Sequence, residues 1–205
     1  MLFRSYELPF GKGKTWASDS RVGSAFLGGW QINGVFSAYS GAPFTVTADG
    51  ASCNCPGNQQ TADVIGPVNI TGNPGAGTPY FDVLAFRDPS SGLATGQFRY
   101  GTTGRNAYRG PGYWNLDFSL FRRFSLTERF KMDFRAEAYN IFNHPQFANP
   151  GSNVSSPSRD SQGNILKNPN GTPRLNGFGE ITSTLGFADN QVTERRFRFA
   201  LRLEF

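Results

Sequence analysis

Apolar and polar residues alternate one by one along several stretches of this chain. In its closing segment Phe197, Phe199, Leu201, Leu203 and Phe205 hold the odd positions, and Arg196, Arg198, Ala200, Arg202 and Glu204 the even ones. Successive side chains of a strand point to opposite faces, so this segment reads as a strand with one oily and one charged face. From Trp114 to Leu120 the even positions are apolar and the odd ones are Asn115, Asp117 and Ser119. From Phe130 to Ala138 the even positions are apolar or small, with Lys131, Asp133, Arg135 and Glu137 between them. Trp30, Ile32, Gly34, Phe36 and Ala38 share a face, opposed by Gln31, Asn33 and Ser37, with Val35 as the exception. A period of two over such lengths predicts strands rather than helices.

The spacing of these strands predicts their arrangement. Only Ser125 to Arg129 separate Phe124 from Phe130, which predicts an antiparallel hairpin. Ten steps from Trp114 to Phe124 at about 3.3 Å make ~33 Å of strand. Tilted by ~40°, that strand covers ~25 Å, the height of the apolar band of an outer-membrane barrel. Tyr113 and Trp114 then mark one membrane interface, and Phe121, Phe124 and Phe130 the other. Gly11-Lys-Gly-Lys14 begins a modest turn, whereas residues 48–111 and 143–193 form long polar connections rich in Gly, Pro, Asn and Ser. Tyr80 to Phe86 and Phe178 to Thr184 are candidate short strands within them. Short turns alternating with long loops match periplasmic and extracellular ends. The strands near 28–47 and 129–142 then run outward, and those at 112–124 and 194–205 run inward.

Composition narrows the reading. The 205 residues include 25 Gly and 20 Phe, and 38% are hydrophobic. No stretch approaches the ~20 apolar residues of a transmembrane helix. A membrane reading is therefore a barrel reading, because only helices and closed barrels satisfy their backbone in lipid. The net charge of +5 comes from basic residues scattered through strands and turns, which argues against a nucleic-acid partner. Residues 1–10 carry no secretory signal pattern and read as the end of a strand, so the chain is expected to start mid-fold. Cys53 and Cys55 sit in a Gly/Asn/Pro-rich loop, as a local disulfide or as two thiols. One intervening residue without further ligands is a poor zinc spacing.

No constellation of nucleophile, base and orienting group emerges, so the chain is expected to be no enzyme, with no catalytic residue, metal or cofactor. Gly11-Lys-Gly-Lys14 lacks the full spacing of a phosphate loop. His144, the single histidine, precedes Pro145 and is assigned to a turn. Asp117, Asp133, Glu137 and Glu204 are interleaved with arginines, which fits a solvated, salt-bridged lumen wall better than paired catalytic acids. Arg135, Arg196, Arg198 and Arg202 are the expected partners of Asp133, Glu137 and Glu204.

Several strings resemble one family. Tyr6-Glu-Leu-Pro-Phe-Gly-Lys-Gly-Lys14 is similar to a strand-to-turn signature of TonB-dependent outer-membrane receptors, specifically the Oar-like, carboxypeptidase-regulatory-domain group. The resemblance continues through Leu27 to Gly34, Ser40 to Thr45, Gly104 to Phe118, Arg135 to Phe147 and the closing Phe199 to Phe205. It spans nearly the whole chain and is weakest in the two long loops. The resemblance implies a barrel of about 22 strands around an N-terminal plug, importing or binding a ligand that this sequence does not identify. No string here resembles the signal peptide, plug, TonB-contacting box or regulatory-like domain of the complete pattern, and about five strands fall short of the eight of the smallest ordinary barrels, so a C-terminal piece of such a receptor is expected. The expectation is an all-β, antiparallel C-terminal barrel segment over residues 1–205, located in the bacterial outer membrane. Its expected partners are outer-membrane lipid, the barrel-assembly machinery and, through the N-terminal part alone, the TonB system. The resemblance implies that Phe197, Phe199, Leu201, Leu203 and Phe205 form the assembly signal. The rivals are a self-contained small barrel acting as adhesin or pore, and a soluble β-sandwich binding module.

Overall fold

The computed structural model describes residues 1–11, 13–16, 21–50, 59–72, 78–91, 93–94, 97–160, 165–185 and 193–205. The chain divides into two compact units. The first holds Met1–Tyr39, Tyr113–Gln146 and Leu185–Phe205, and the second Ser40–Gly112 and Phe147–Thr184. Cys53 and Cys55 lie outside the described residues.

The alternating segments build the first unit. Strands β1 (Leu2–Glu7), β2 (Trp30–Tyr39), β9 (Tyr113–Ser125), β10 (Lys131–Tyr139) and β11 (Arg196–Glu204) form one five-stranded antiparallel sheet in the order β1-β2-β9-β10-β11. Opposed residues in neighbouring strands share a face, so the register aligns the patterns. Ile32 faces Leu120, which faces Ala136, which faces Phe199. One residue along, Asn33 faces Ser119, Ser119 faces Glu137, and Glu137 faces Arg198. A slip of one residue would exchange the faces of a whole strand, which is why so strict a pattern fixes its register. Tyr39 pairs with Tyr113, and Tyr139 with Arg196, so both long connections leave from and return to one end of the sheet. The hairpin between β9 and β10 lies at the other end, as its five-residue link predicts.

The link from β1 to β2 is more than the modest turn expected. It contains helix α1 (Arg21–Leu27), followed by Gly29 at a φ of 74°, the left-handed conformation that commonly ends helices. The helix answers a puzzle in β9. Arg122 occupies the apolar face, opposite Trp30 and Phe134, yet it is only 6% exposed. Its guanidinium donates to the carbonyl oxygen of Phe26 at 2.5 Å and to that of Ala25, and lies 4.2 Å from the Phe124 ring centroid. Trp30 Nε1 donates to the same Phe26 oxygen at 2.9 Å. The last carbonyls of α1, which have no partners within a helix, are thus capped by a cation and an indole. Arg122→Met should leave these carbonyls short of donors at a cost of about 1–3 kcal/mol. The expected result is faster proteolytic cleavage between β1 and β2 in the detergent-bound chain, and an unchanged cleavage rate would refute the capping role.

The second unit departs furthest from the expectation of polar, structureless loops. It carries a hydrophobic core that includes Phe44, Val46, Phe81, Phe86, Val154, Leu175 and Phe178. Short antiparallel pairs frame it. These are β3 (Pro43–Phe44) with β8 (Tyr108–Arg109), β4 (Thr47–Asp49) with β5 (Gln59–Thr61), and β6 (Asp63–Val64) with β7 (Phe86–Arg87). The two long connections fold into each other. Thr47 donates its amide to Ser152 O and accepts from Val154 N, both at 2.8 Å, and Gly151 bridges to Phe178. The loop boundaries shift accordingly, from the expected 48–111 and 143–193 to 40–112 and 147–184 in this unit. Gly41 marks the new start, because the backbone of Gly110 and Pro111 leaves no room for a side chain there.

Neither candidate strand of the loops forms as expected. Phe81 forms an isolated bridge to Ile70, but Asp82 Oδ1 then accepts from Leu84 N at 3.0 Å and caps a 3-10 turn at Val83–Ala85, so strand pairing resumes only at Phe86. An acidic cap inside an apolar string thus ends the extended backbone. Between Phe178 and Thr184 only the two end residues form isolated bridges, to Gly151 and Phe147. Gly179 intervenes at a φ of 74°, where a Cβ would meet Val83 Cγ1 at 2.6 Å.

Candidate functional site

The two faces of the sheet differ chemically. On the apolar face of β11, Phe197, Phe199, Leu201 and Leu203 are 61%, 70%, 62% and 59% exposed. They stand opposite Ala138, Ala136, Phe134 and Met132 of β10. Terminal Phe205 is 95% exposed. Such a row of exposed large side chains is not tolerated on a water-facing surface and marks an interface. These five residues are therefore the contact face that their spacing predicts.

The opposite face is polar and bonded within itself. Arg123 holds Asp133 at 2.6 Å and lies 3.7 Å from Glu204. Glu137 sits 3.7 Å from Arg135 and 3.9 Å from Arg198, and Arg202 lies 3.5 Å from Glu204. Arg123 was not among the expected partners, although the hairpin register puts it directly opposite Asp133. Asp117 accepts from Asn115 Nδ2 at 2.8 Å and from the Asn140 amide at 2.9 Å, an arrangement that ties down a carboxylate. A hollow of about 480 Å³ opens on this face, lined in part by Gln31, Asn33, Asp117, Ser119, Arg135 and Glu137. Phe121, expected in the aromatic girdle, lies on this polar face, with Arg135 5.8 Å from its ring centroid. Tyr113 also lies there, stacked 4.3 Å from Tyr39, so at that end Trp114 alone of the expected pair is on the apolar face. Both follow from period two, since odd positions of β9 are polar-facing.

His144 stands in the turn assigned to it. Its amide donates to Asn140 Oδ1 at 3.0 Å, and its ring lies 4.2 Å from that of Trp114. Asn140, with a φ of 47° and no exposed surface, also donates from Nδ2 to His144 O at 2.9 Å. Sequence reasoning missed this residue. The clue available was an asparagine after the last alternating position, the side chain best able to take the left-handed conformation. Among the described residues no group of three His, Cys, Asp or Glu is placed to hold a metal ion.

The second unit holds the larger recess, a cleft of about 1080 Å³. Phe81, Val83 and Phe86 contribute apolar wall, and Leu84 and Ile65 line it while 68% and 53% exposed. The charged lining residues are Arg87, Arg159, Lys167 and Asp82. Arg87 lies 3.8 Å from Asp63, a buried carboxylate gripped on both oxygens by Arg99. The Arg99 hydrogen bonds, aided by the charges of Arg99 and Arg87, hold the Asp63 carboxyl below its ordinary 3.8. A lowered folded-state value stabilises the fold fully above pH ~3.8, and the contribution is lost as pH falls through the lowered value. The thermal stability of this unit should therefore fall as pH drops below that value. Asp63→Asn should be less stable at neutral pH and lose that acid dependence, whereas an unaltered acid profile would refute the assignment.

Residues 2–198 match the family described as the outer membrane beta barrel domain. The chain belongs to this family. No curated protein and no solved structure matches the chain. As an outer-membrane β-barrel domain, the chain resides in the bacterial outer membrane. The apolar face of the sheet is then its lipid face, and the polar face lines the barrel interior, the alternation that defines such barrels. The cleft residues carry no sequence motif. The available signal was the apolar density of Phe81, Val83, Ala85 and Phe86 inside an otherwise polar loop.

Proposed function

We propose that this outer-membrane β-barrel domain is the C-terminal barrel portion of a TonB-dependent receptor of the Oar-like, carboxypeptidase-regulatory-domain group, acting in ligand uptake or binding and not as an enzyme. The observation that carries the reading is the second unit. Both long connections leave one end of the spanning sheet and fold together around a core that bears a cleft. A passive barrel needs only connecting loops, whereas a receptor needs a preformed recess on its extracellular side. Five strands with open edges at β1 and β11 fall short of the eight of small barrels, so further strands complete this wall. Against a self-contained barrel, the described strands of the loops are only two or three residues long and cannot span a membrane.

In this reading β11 is the strand engaged by the barrel-assembly machinery, and outer-membrane lipid covers its odd residues. TonB-derived energy arrives through an N-terminal plug. The test is expression with a secretory leader, followed by membrane fractionation. The chain is expected in the outer-membrane fraction, strand-rich and dependent on detergent for extraction. A monomer soluble without detergent would overturn the proposal.

A further inference from the structure

The connection from β1 to β2 meets the sheet on both faces. Lys14 reaches Glu7 at 2.9 Å, and Glu7 stands opposite Gln31 on the polar face. The last turn of α1 lies on the other side. Arg122 and Trp30, opposed on the lipid face, both donate to the carbonyl oxygen of Phe26, and Arg122 also to that of Ala25. Trp30 in turn meets Phe124 and Phe134 edge-on, with ring centroids 6.3 and 6.0 Å apart. The end of the helix is therefore continuous with an aromatic cluster of the lipid face. It sits at the end of the sheet that bears the short hairpin, the periplasmic end of such barrels. The outer surface of this turn is apolar. Phe26 and Leu27 are 72% and 51% exposed, and no charged residue stands between Arg21 and Trp30. A helix lying on a water-facing surface turns a polar or charged face outward. Here the helix turns its terminal carbonyls to the sheet, where they cover a cation that hydrocarbon would not tolerate, and leaves large apolar side chains outside.

We propose that the C-terminal turn of α1 is an interfacial lipid contact, with Phe26 and Leu27 set at the boundary between headgroups and acyl chains of the periplasmic leaflet. The occupant is phospholipid, because the surface extends the lipid face without a break. Phe26 leads through Trp30 to Phe124 and Phe134, and the register carries Phe134 on to Leu201. Seven residues make about 10 Å of helix, enough to lie in the interface and too little to cross a membrane. Arg122 and α1 together then set how deep this wall sits, since drawing the helix inward would carry the cation toward hydrocarbon. The inference goes beyond the receptor reading and rests only on the lipid assignment of the sheet face.

The experiment uses the full chain with Cys53→Ser and Cys55→Ser, folded into phosphatidylcholine vesicles. A fluorescent label is attached through Phe26→Cys, Lys14→Cys or Leu201→Cys, one at a time. Quenching is read with phosphatidylcholine carrying a nitroxide either near the headgroup or near the end of an acyl chain. The label at position 26 should be quenched severalfold more strongly than that at 14, and more by the headgroup-proximal nitroxide than by the deep one. The label at 201, midway along β11, should show the opposite depth preference. Leu27→Cys reports the same surface if a label at 26 disturbs folding. A label at 26 or 27 quenched as weakly as that at 14, with 201 quenched, would overturn the proposal and mean that water or protein covers the helix. Quenching at 26 by the deep nitroxide as strong as at 201 would also overturn it, by placing the helix in hydrocarbon. A label at 201 that no lipid quenches would instead sink the lipid assignment of the sheet, and this inference with it.

Discussion

Leu201→Arg is expected to impair folding of the sheet into a membrane, while Ala200→Glu, one residue away, is expected to leave it nearly intact. Leu201 lies midway along β11, 62% exposed on the lipid face and opposite Phe134. A cation at the centre of a barrel's lipid face costs about 2–4 kcal/mol. Such a loss is a large share of the 5–15 kcal/mol that typically holds a domain folded. Ala200 points to the other face, directly opposite Arg135, where a carboxylate gains a partner at ordinary sheet distance. Urea titration of the chain in lipid vesicles measures both. Comparable losses at the two positions would mean that both faces meet the same medium, and the membrane assignment of the sheet would fall.

The contrast between these two neighbours explains why the sheet was legible in the sequence and the loop unit was not. A membrane wall forces every residue of a spanning strand to choose between two media, so period two dominates Trp114–Phe124 and Arg196–Phe205. Even a violation carried information. Arg122 is a charge on the oily row, and the structure answers it with the carbonyls of Ala25 and Phe26. The helix supplying them was hidden, because seven residues with no acidic first turn and no basic last turn give little periodic signal. Phe197, Phe199, Leu201 and Leu203 fell on the face where their spacing put them, whereas the partner of Asp133 needed the hairpin register as well as the pattern. In the loop unit the core residues outside Tyr80–Phe86 are dispersed through stretches rich in Gly, Pro and Asn. Val46 and Val154, both fully buried, belong to one core from opposite ends of the chain's middle. Contacts of that range leave no local pattern, so the core, and the cleft beside it, emerge only when the two connections are folded together.

Phe81→Ala should dissolve that loop core and spare the sheet. Phe81 is 1% exposed, and its ring centroid lies 5.9 Å from Phe44, 5.5 Å from Phe86 and 5.4 Å from Phe178. Phe44 and Phe86 come from the first long connection and Phe178 from the second, so this ring packs at the junction of the two. Truncating a buried Phe to Ala costs about 3–5 kcal/mol, from the lost burial and the cavity left behind. The edge-to-face contacts with Phe86 and Phe178 add to that loss, at about 0.5–1.5 kcal/mol per pair. A unit framed only by two- and three-residue strands has few other interactions of that size. Local opening is therefore expected to precede any loss of the sheet, whose hydrogen bonds run unbroken from β1 to β11. Amide exchange in detergent resolves the two units. Protection over 40–112 and 147–184 should fall by orders of magnitude in Phe81→Ala, while that of β9 and β10 holds. Leu84→Ala, at an exposed position on the same turn, should change neither. Undiminished loop protection in Phe81→Ala would show that the aromatic cluster is not what holds the loop unit folded.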